Sequence, residues 1–263
     1  MKKTTILMAA LIILIPSLAY SDMLTVRLGY YMPQALNNLA AHPDSLWAIE
    51  LSQMSMLKSD YRGSILGAGY EFFLTPQLSF AISVDFFSKE NGGYYLDWVA
   101  NTLDNGGVQQ DFAFPAGNFN GSDILHTFHV SMTPVQFSLK LTPLGRKTRV
   151  IPYVGGGIGA YFVSASVWGS IVDFSQEYTY SDPDLGDVSV YPVVGADAHE
   201  TRVVLGGHAF AGVMIPVGYR MTIEAEARYH YAKVNFREAF PAPEYDKFDL
   251  SGLSLSIGFN YWF

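Results

Sequence analysis

The 263-residue chain has no cysteine. A disulfide framework, a thiolate metal site and a catalytic thiol are therefore excluded. Charge is scarce as well. Asp, Glu, Lys and Arg make up 15% of the residues, against roughly a quarter in an average soluble domain. Positive charge is scarcer than negative, with 16 Lys and Arg against 24 Asp and Glu. That balance excludes nucleic acid as a partner, because such binding depends on a basic surface. Long apolar runs are also missing. Beyond the N-terminus no stretch approaches the ~20 apolar residues of a transmembrane helix. Yet hydrophobic residues make up 49% of the chain, and the mean hydropathy is +0.16. Apolar content without apolar runs is what a membrane β-barrel requires, because its lipid-facing residues alternate with polar ones.

The N-terminus reads MKKTTILMAALIILIPSLAYS. Lys2 and Lys3 supply a charged start, Ile6 to Ile15 an apolar core, and Ala19-Tyr20-Ser21 a small-x-small cleavage pattern. The core is too short to span a bilayer at ~1.5 Å per residue. Residues 1–21 read as a secretory signal cleaved near Ser21, leaving 22–263 as one barrel domain. An N-terminal anchor helix is the competing reading. Cleavage leaves 14 basic against 24 acidic residues, a net charge of −10.

The end of the chain reads LSLSIGFNYWF. Leu253, Leu255, Ile257, Phe259, Tyr261 and Phe263 form one row of a strand, and Ser254, Ser256, Gly258, Asn260 and Trp262 the other. Seven further segments alternate in this way: Leu24 to Met32, Ser64 to Leu74, Leu78 to Phe87, His126 to Leu141, a segment from Pro152, Thr201 to Ile215, and Met221 to Lys233. In the fourth, Phe128, Val130 and Met132 share one phase, and Val135, Phe137, Leu139 and Leu141 the other. A β-bulge near Thr133-Pro134 would keep both sets on the lipid face. Long connections (33–60, 88–125, 166–200, 236–248) alternate with short ones (75–77, 142–151, 216–220). The prediction is an all-β fold, a transmembrane antiparallel up-and-down barrel of eight strands. VDFSQEYTY and DVSVYPVV within 166–200 are β-like. They continue the fifth and sixth strands above the membrane, or, if they enter lipid, raise the count to ten.

A charged side chain facing lipid at the midplane costs up to ~2–4 kcal/mol. Glu224, Glu226, Arg228 and His230 share one face of the seventh strand, so that face is assigned to the lumen. Arg27, Glu71, Asp85 and Lys140 fall on the matching faces of their strands. Together these eight are the expected lumen network, with paired charges filling a narrow interior.

The terminal row Ile257, Phe259, Tyr261 and Phe263 looks like the signal by which outer-membrane barrels are recognised by their assembly machinery. PYVGGGIGAYF and EARYHY are similar to stretches of small bacterial outer-membrane barrels, the OmpW-like and OmpA-barrel-like group. The resemblance covers residues 22–263. It implies a Gram-negative outer-membrane location and, as partners, outer-membrane lipids and lipopolysaccharide, the barrel assembly machinery and periplasmic chaperones. It also implies a porin-like or anchoring role, since members include passive anchors, adhesion proteins and proposed conduits for small hydrophobic molecules.

Other motifs carry weaker signals. Gly155-Gly156-Gly157 and Gly159 lack the G-x-G-x-x-G spacing and read as strand glycines. Ser122, Asp123 and His126 lie together near the outer rim and are the candidates for a lipid-modifying enzyme. Asp182, Asp184 and Asp187 could offer oxygens to a divalent cation, although a solvated acidic loop accounts for them too. Arg146, Lys147 and Arg149 occupy a short turn where anionic phospholipid heads or plain water would meet them. Residues 44–58, with Trp47, Leu51 and Met54, read as a short helix or as an upward extension of the second strand. No cofactor is expected. The expectation is a monomeric, non-catalytic barrel that anchors its loops or passes small molecules, apolar ones included. The alternative is an adhesin or receptor working through loops 88–125 and 166–200.

Overall fold

The computed structural model describes residues 22–33, 53–105, 108–236 and 248–263. Twelve strands run along them: β1 (Met23–Pro33), β2 (Gly63–Phe73), β3 (Leu78–Asn105), β4 (Val108–Pro115), β5 (Ser122–Leu141), β6 (Ile151–Val172), β7 (Tyr178–Asp182), β8 (Gly186–Pro216), β9 (Met221–Tyr231), β10 (Lys233–Val234), β11 (Phe248–Asp249) and β12 (Gly252–Trp262). Eight of them close a ring. β1 pairs β2, β2 pairs β3, β3 pairs β5, and β5 pairs β6. β6 pairs β8, β8 pairs β9, β9 pairs β12, and β12 returns to β1. Every contact is antiparallel, and closure leaves no edge whose N–H and C=O groups would go unpaired in lipid.

The outer wall is apolar. Leu28, Leu66, Phe86, Phe137, Leu139, Ile158, Leu205, Ile223 and Ile257 all point outward and are exposed, whereas their neighbours in sequence are turned inward. β1, β2, β9 and β12 each have 11 residues. At ~3.3 Å per residue and a tilt of ~40°, that length spans ~28 Å, close to the ~25 Å apolar band of an outer-membrane barrel. On the opposite wall the band ends at a ladder of hydroxyls. Ser88, Ser131, Ser164 and Thr201 lie side by side across β3, β5, β6 and β8.

Those four strands are much longer, with 28, 20, 22 and 31 residues. They form one contiguous half of the wall and continue past the ladder. There β4 pairs with β3 (Trp98↔Pro115 to Asn105↔Val108) and meets β8 at Phe112↔Pro192 and Ala113↔Tyr191. Above the membrane band the ring therefore narrows to five strands: β3, β4, β8, β6 and β5. β7 adds to the top of β8 as a hairpin. Neither β4 nor β7 joins the lipid-facing wall, so the barrel has eight strands rather than ten. The segment 88–125, expected as a loop, is largely sheet. The register of β3 against β5 shifts between Tyr94 and Val99, which turns the upper part of β3 toward β4.

No bulge exists at Thr133-Pro134. The β5 register against β6 is continuous from His126↔Gly169 to Leu141↔Val154. Phe128, Val130 and Met132 therefore stay in phase with Gln136, Ser138 and Lys140, and all six are buried inside. The apparent slip in the sequence is a change in the chemistry of the interior, from polar near one end to apolar near the other.

Residues 44–52 lie outside the described residues. Gln53, the first described residue after them, is helical, and past it the chain runs beside β3. Met54 bridges to Tyr95 on β3, Ser55 N–H donates to the Tyr94 carbonyl at 2.9 Å, and a single 3-10 turn covers Lys58–Tyr61. Met54, Met56 and Tyr61 are buried inside the barrel. The expected signal segment, 1–21, also lies outside the described residues.

Candidate functional site: a filled interior beneath an outer lobe

The half of the interior nearest the short turns holds the charges. Arg27 Nη2 lies 2.9 Å from Asp85 Oδ1, and Arg27 Nε 3.0 Å from the same oxygen. Arg228 reaches Asp85 Oδ2 at 3.5 Å and Glu226 Oε1 at 2.9 Å. Lys140 Nζ pairs with Glu71 Oε2 at 2.9 Å and stands 4.0 Å from the centroid of the Tyr153 ring. Glu71 also accepts from the Ser79 hydroxyl. Glu224 Oε2 accepts from Asn260 Nδ2 at 3.1 Å and from the Tyr153 hydroxyl at 3.4 Å. His230 is fully buried and lies 3.3 Å from Gln136 Nε2 and 3.2 Å from the Ser254 hydroxyl. The structure thus brings all eight sequence-assigned lumen residues into one contiguous region. Three cations face four carboxylates there.

Sequence reasoning missed the neutral partners that hold this region together. Gln136 Oε1 accepts from Arg228 Nη1 at 2.5 Å, and its amide donates to Tyr161 at 3.0 Å. His208 takes Ser138 at 2.7 Å. These residues sit on the inward phase of their strands, which was the available signal, but each is uncharged or lone in its segment. The free space amid the network is about 30 Å³, enough for a water molecule or two.

The other half of the interior is apolar. Phe87, Phe128, Val130, Met132 and Val163 project from the wall. Met54, Met56 and Tyr61 enter from the connection before β2, and Ala232, Val234, Phe236, Phe248 and Leu250 from the one before β12. The Tyr31 hydroxyl donates to the Leu250 carbonyl and ties the second insert to β1. Two connections thus plug the barrel with an ordinary hydrophobic core.

Above the plug stands the lobe formed by β4, β7 and the upper parts of β3, β6 and β8. It has its own core of Phe112, Phe114 and Val190, packed by Val99, Leu103, Phe119 and Tyr180. Trp98, Phe174 and Tyr191 add a second aromatic cluster, with ring centroids 5.1–5.5 Å apart. The segments 94–125 and 166–200 contain eleven Asp and Glu and no Lys or Arg. Asp173 Oδ1 accepts from the Ser175 hydroxyl at 2.5 Å and its amide at 3.1 Å. These bonds, with one from Gln176, hold its carboxyl below the usual range.

The remaining sequence candidates do not assemble. Ser122 and Asp123 are exposed on opposite sides of β5, whereas His126 is buried. Four residues of extended chain put Ser122 ~13 Å from His126, too far for a nucleophile and its base. Asp182 Oδ1 accepts the amides of Asp184 and Leu185 and closes the β7–β8 turn. Asp187 accepts from Ser181 at 2.7 Å. Among the described residues no three His, Asp or Glu converge on a metal position. Ile257, Phe259 and Tyr261 lie on the exposed outer row of β12, and Phe263, just past its end, is exposed as well.

No protein-family model matches the chain, and no curated protein is similar to it in sequence. Several solved structures are similar in fold. OprG of Pseudomonas aeruginosa, an outer-membrane protein, superimposes with a TM-score of 0.43 and 10% identity over 93% of this chain and 96% of that one. The N-terminal β-barrel domain of OprF from the same organism gives 0.39 and 11%, over 92% and 97%. Ail, the attachment invasion locus protein of Yersinia pestis, gives 0.40 and 12%, over 92% and 99%, in a complex with a heparin analogue. The barrel of the present chain stands on its own strand pairings, and in architecture it is a small closed antiparallel barrel of eight strands.

Proposed function

We propose that the protein is an integral outer-membrane barrel that does not conduct, and that it serves as a monomeric anchor presenting the acidic outer lobe as a binding surface. On this reading the short turns face the periplasm and the lobe faces outside. One observation carries it: a separately cored β lobe closes over an interior already filled by ion pairs and two inserted connections. A conduit would need an open path. A lipid-modifying enzyme would need a nucleophile beside its base. The wall is complete within one chain, so closure needs no neighbour.

The lobe's charge selects its partners. With no Lys or Arg in 94–125 or 166–200, it repels polyanions and favours cationic surfaces, at ranges set by a Debye length of ~8 Å in physiological salt.

Planar-bilayer recording of the refolded barrel tests the reading. The expected result is insertion without discrete current steps. Reproducible single-channel steps would instead favour the conduit, with the inserted connections as its gate.

A further inference from the structure

We propose that the barrel end carrying the short turns holds a binding pocket for a phosphate group, built by Arg146, Arg220 and Trp262. The pocket has a volume of about 360 Å³ and lies between the β5–β6 and β8–β9 turns and the end of β12. The three donors line it together with Tyr219, Met221 and Phe263.

Three observations converge. First, Arg146 Nε and Trp262 Nε1 are both buried N–H donors without an acceptor. A buried donor left unpaired costs about 1–3 kcal/mol, and here both belong to residues that line the same pocket. Second, the guanidinium is held in place by two aromatic rings and by a hydrogen bond from Nη2 to the Thr75 carbonyl at 3.5 Å. Its carbon lies 3.1 Å from the Phe73 ring centroid and 5.6 Å from that of Trp262, and the two rings stack at 5.2 Å. Third, neither Arg146 nor Arg220 is in an ion pair among the described residues. Burial already pushes the Arg146 pKa down to about 10, against the pull of Glu71. Arg146 is thus a partly buried cation with no counter-charge among the described residues.

Phosphate fits the donor set. It offers several acceptor oxygens to two guanidinium groups and an indole N–H at once. The setting fits an amphiphile, because Tyr219 is 98% exposed beside the pocket and Val217, Met221 and Phe263 are exposed around it. Free phosphate and a phospholipid headgroup share this chemistry. The lipid source rests on the membrane reading above, and the free-phosphate source does not.

The test uses the whole barrel purified from membranes, with folding checked by heat-modifiable gel migration and insertion by vesicle flotation. Binding of inorganic phosphate, of phosphatidylglycerol and of phosphate-free diacylglycerol is measured by native mass spectrometry. Trp262→Phe keeps the ring and removes one donor, Arg146→Gln removes the cation, and Lys147→Gln is a neighbouring charge control. Binding of phosphatidylglycerol but not diacylglycerol, weakened about tenfold or more by Arg146→Gln and measurably by Trp262→Phe, supports a headgroup site. Equally tight binding of inorganic phosphate with the same variant pattern supports the pocket and names free phosphate as its ligand. No phosphate-dependent binding to inserted barrel, or an equal loss in Lys147→Gln, overturns the proposal. Failure to float with vesicles would overturn the membrane reading instead.

Discussion

Arg27 and Asp85 stand two strands apart and still form an ion pair, because the residue between them is Gly67. The register places Arg27 opposite Gly67 and Gly67 opposite Asp85 in a single row across β1, β2 and β3. A Cβ on Gly67 would collide with Asp85 Oδ1 and press on Arg27 Nε. The row continues on the other side through Gly258, where a Cβ would strike Glu224. Bare backbone alternates with long charged side chains, and this lets a narrow barrel hold so many of them.

Gly67→Ala should therefore destabilise the barrel by about 3 kcal/mol or more, the scale of breaking a buried ion pair. Urea unfolding in lipid vesicles, followed by tryptophan fluorescence, measures it. A midpoint equal to wild type would mean that Arg27 and Asp85 do not need the gap.

Asp85→Leu removes the carboxylate shared by Arg27 and Arg228, and a loss of about 3–5 kcal/mol is expected. Adding Arg27→Met should recover part of that loss, because Arg228 keeps Glu226 and no orphaned cation remains at Arg27. A double variant no better than the single would place the cost elsewhere.

The sequence was informative on phase and silent on partnership. Alternation on β9 put Glu224, Glu226, Arg228 and His230 on one face, and the structure has that face inward. It could not say that Arg228 meets Asp85 and Gln136, far away in the chain, because such pairs depend on the register of several intervening strands. The segment at Thr133-Pro134 misled for a related reason. An apolar row on a barrel strand ordinarily means lipid, but Phe128, Val130 and Met132 face a plug made of chain that arrives from two other connections. Segment 88–125 read as loop because Gly, Asn and Asp are frequent in it. Packing of Phe112 and Phe114 against β8 overrides that local preference.

Phe114→Ala should loosen the lobe without unfolding the barrel. Phe114 packs on Phe119 and Tyr180 at 4.9 and 5.2 Å, and loss of a buried Phe costs about 3–5 kcal/mol. Limited proteolysis should then cut between 96 and 119 while the gel shift of the folded barrel persists. Protection equal to wild type would show that the lobe core does not depend on this ring.

Asp173 offers a pH test outside the membrane. Its carboxyl is held down chiefly by the Ser175 hydroxyl and amide. The turn is therefore stabilised above the ordinary Asp range, and that contribution is lost as pH falls through the depressed value. Ser175→Ala should raise the Asp173 pKa toward the ordinary value, read by NMR titration of the carboxyl. An unmoved titration would assign the shift to other groups.

The unequal heights of the two half-walls give the molecule a heading in the membrane plane. A barrel equally tall all round offers the same profile to every neighbour. Here β3, β5, β6 and β8 rise on one side as a parapet, while β9, β12, β1 and β2 stop at the surface. Anything gliding in from the low side meets the short strands, and anything from the high side meets the raised sheet. Rotation about the membrane normal thus changes which part of the protein a neighbour can touch, and two copies side by side can be arranged back to back or face to face but never indifferently.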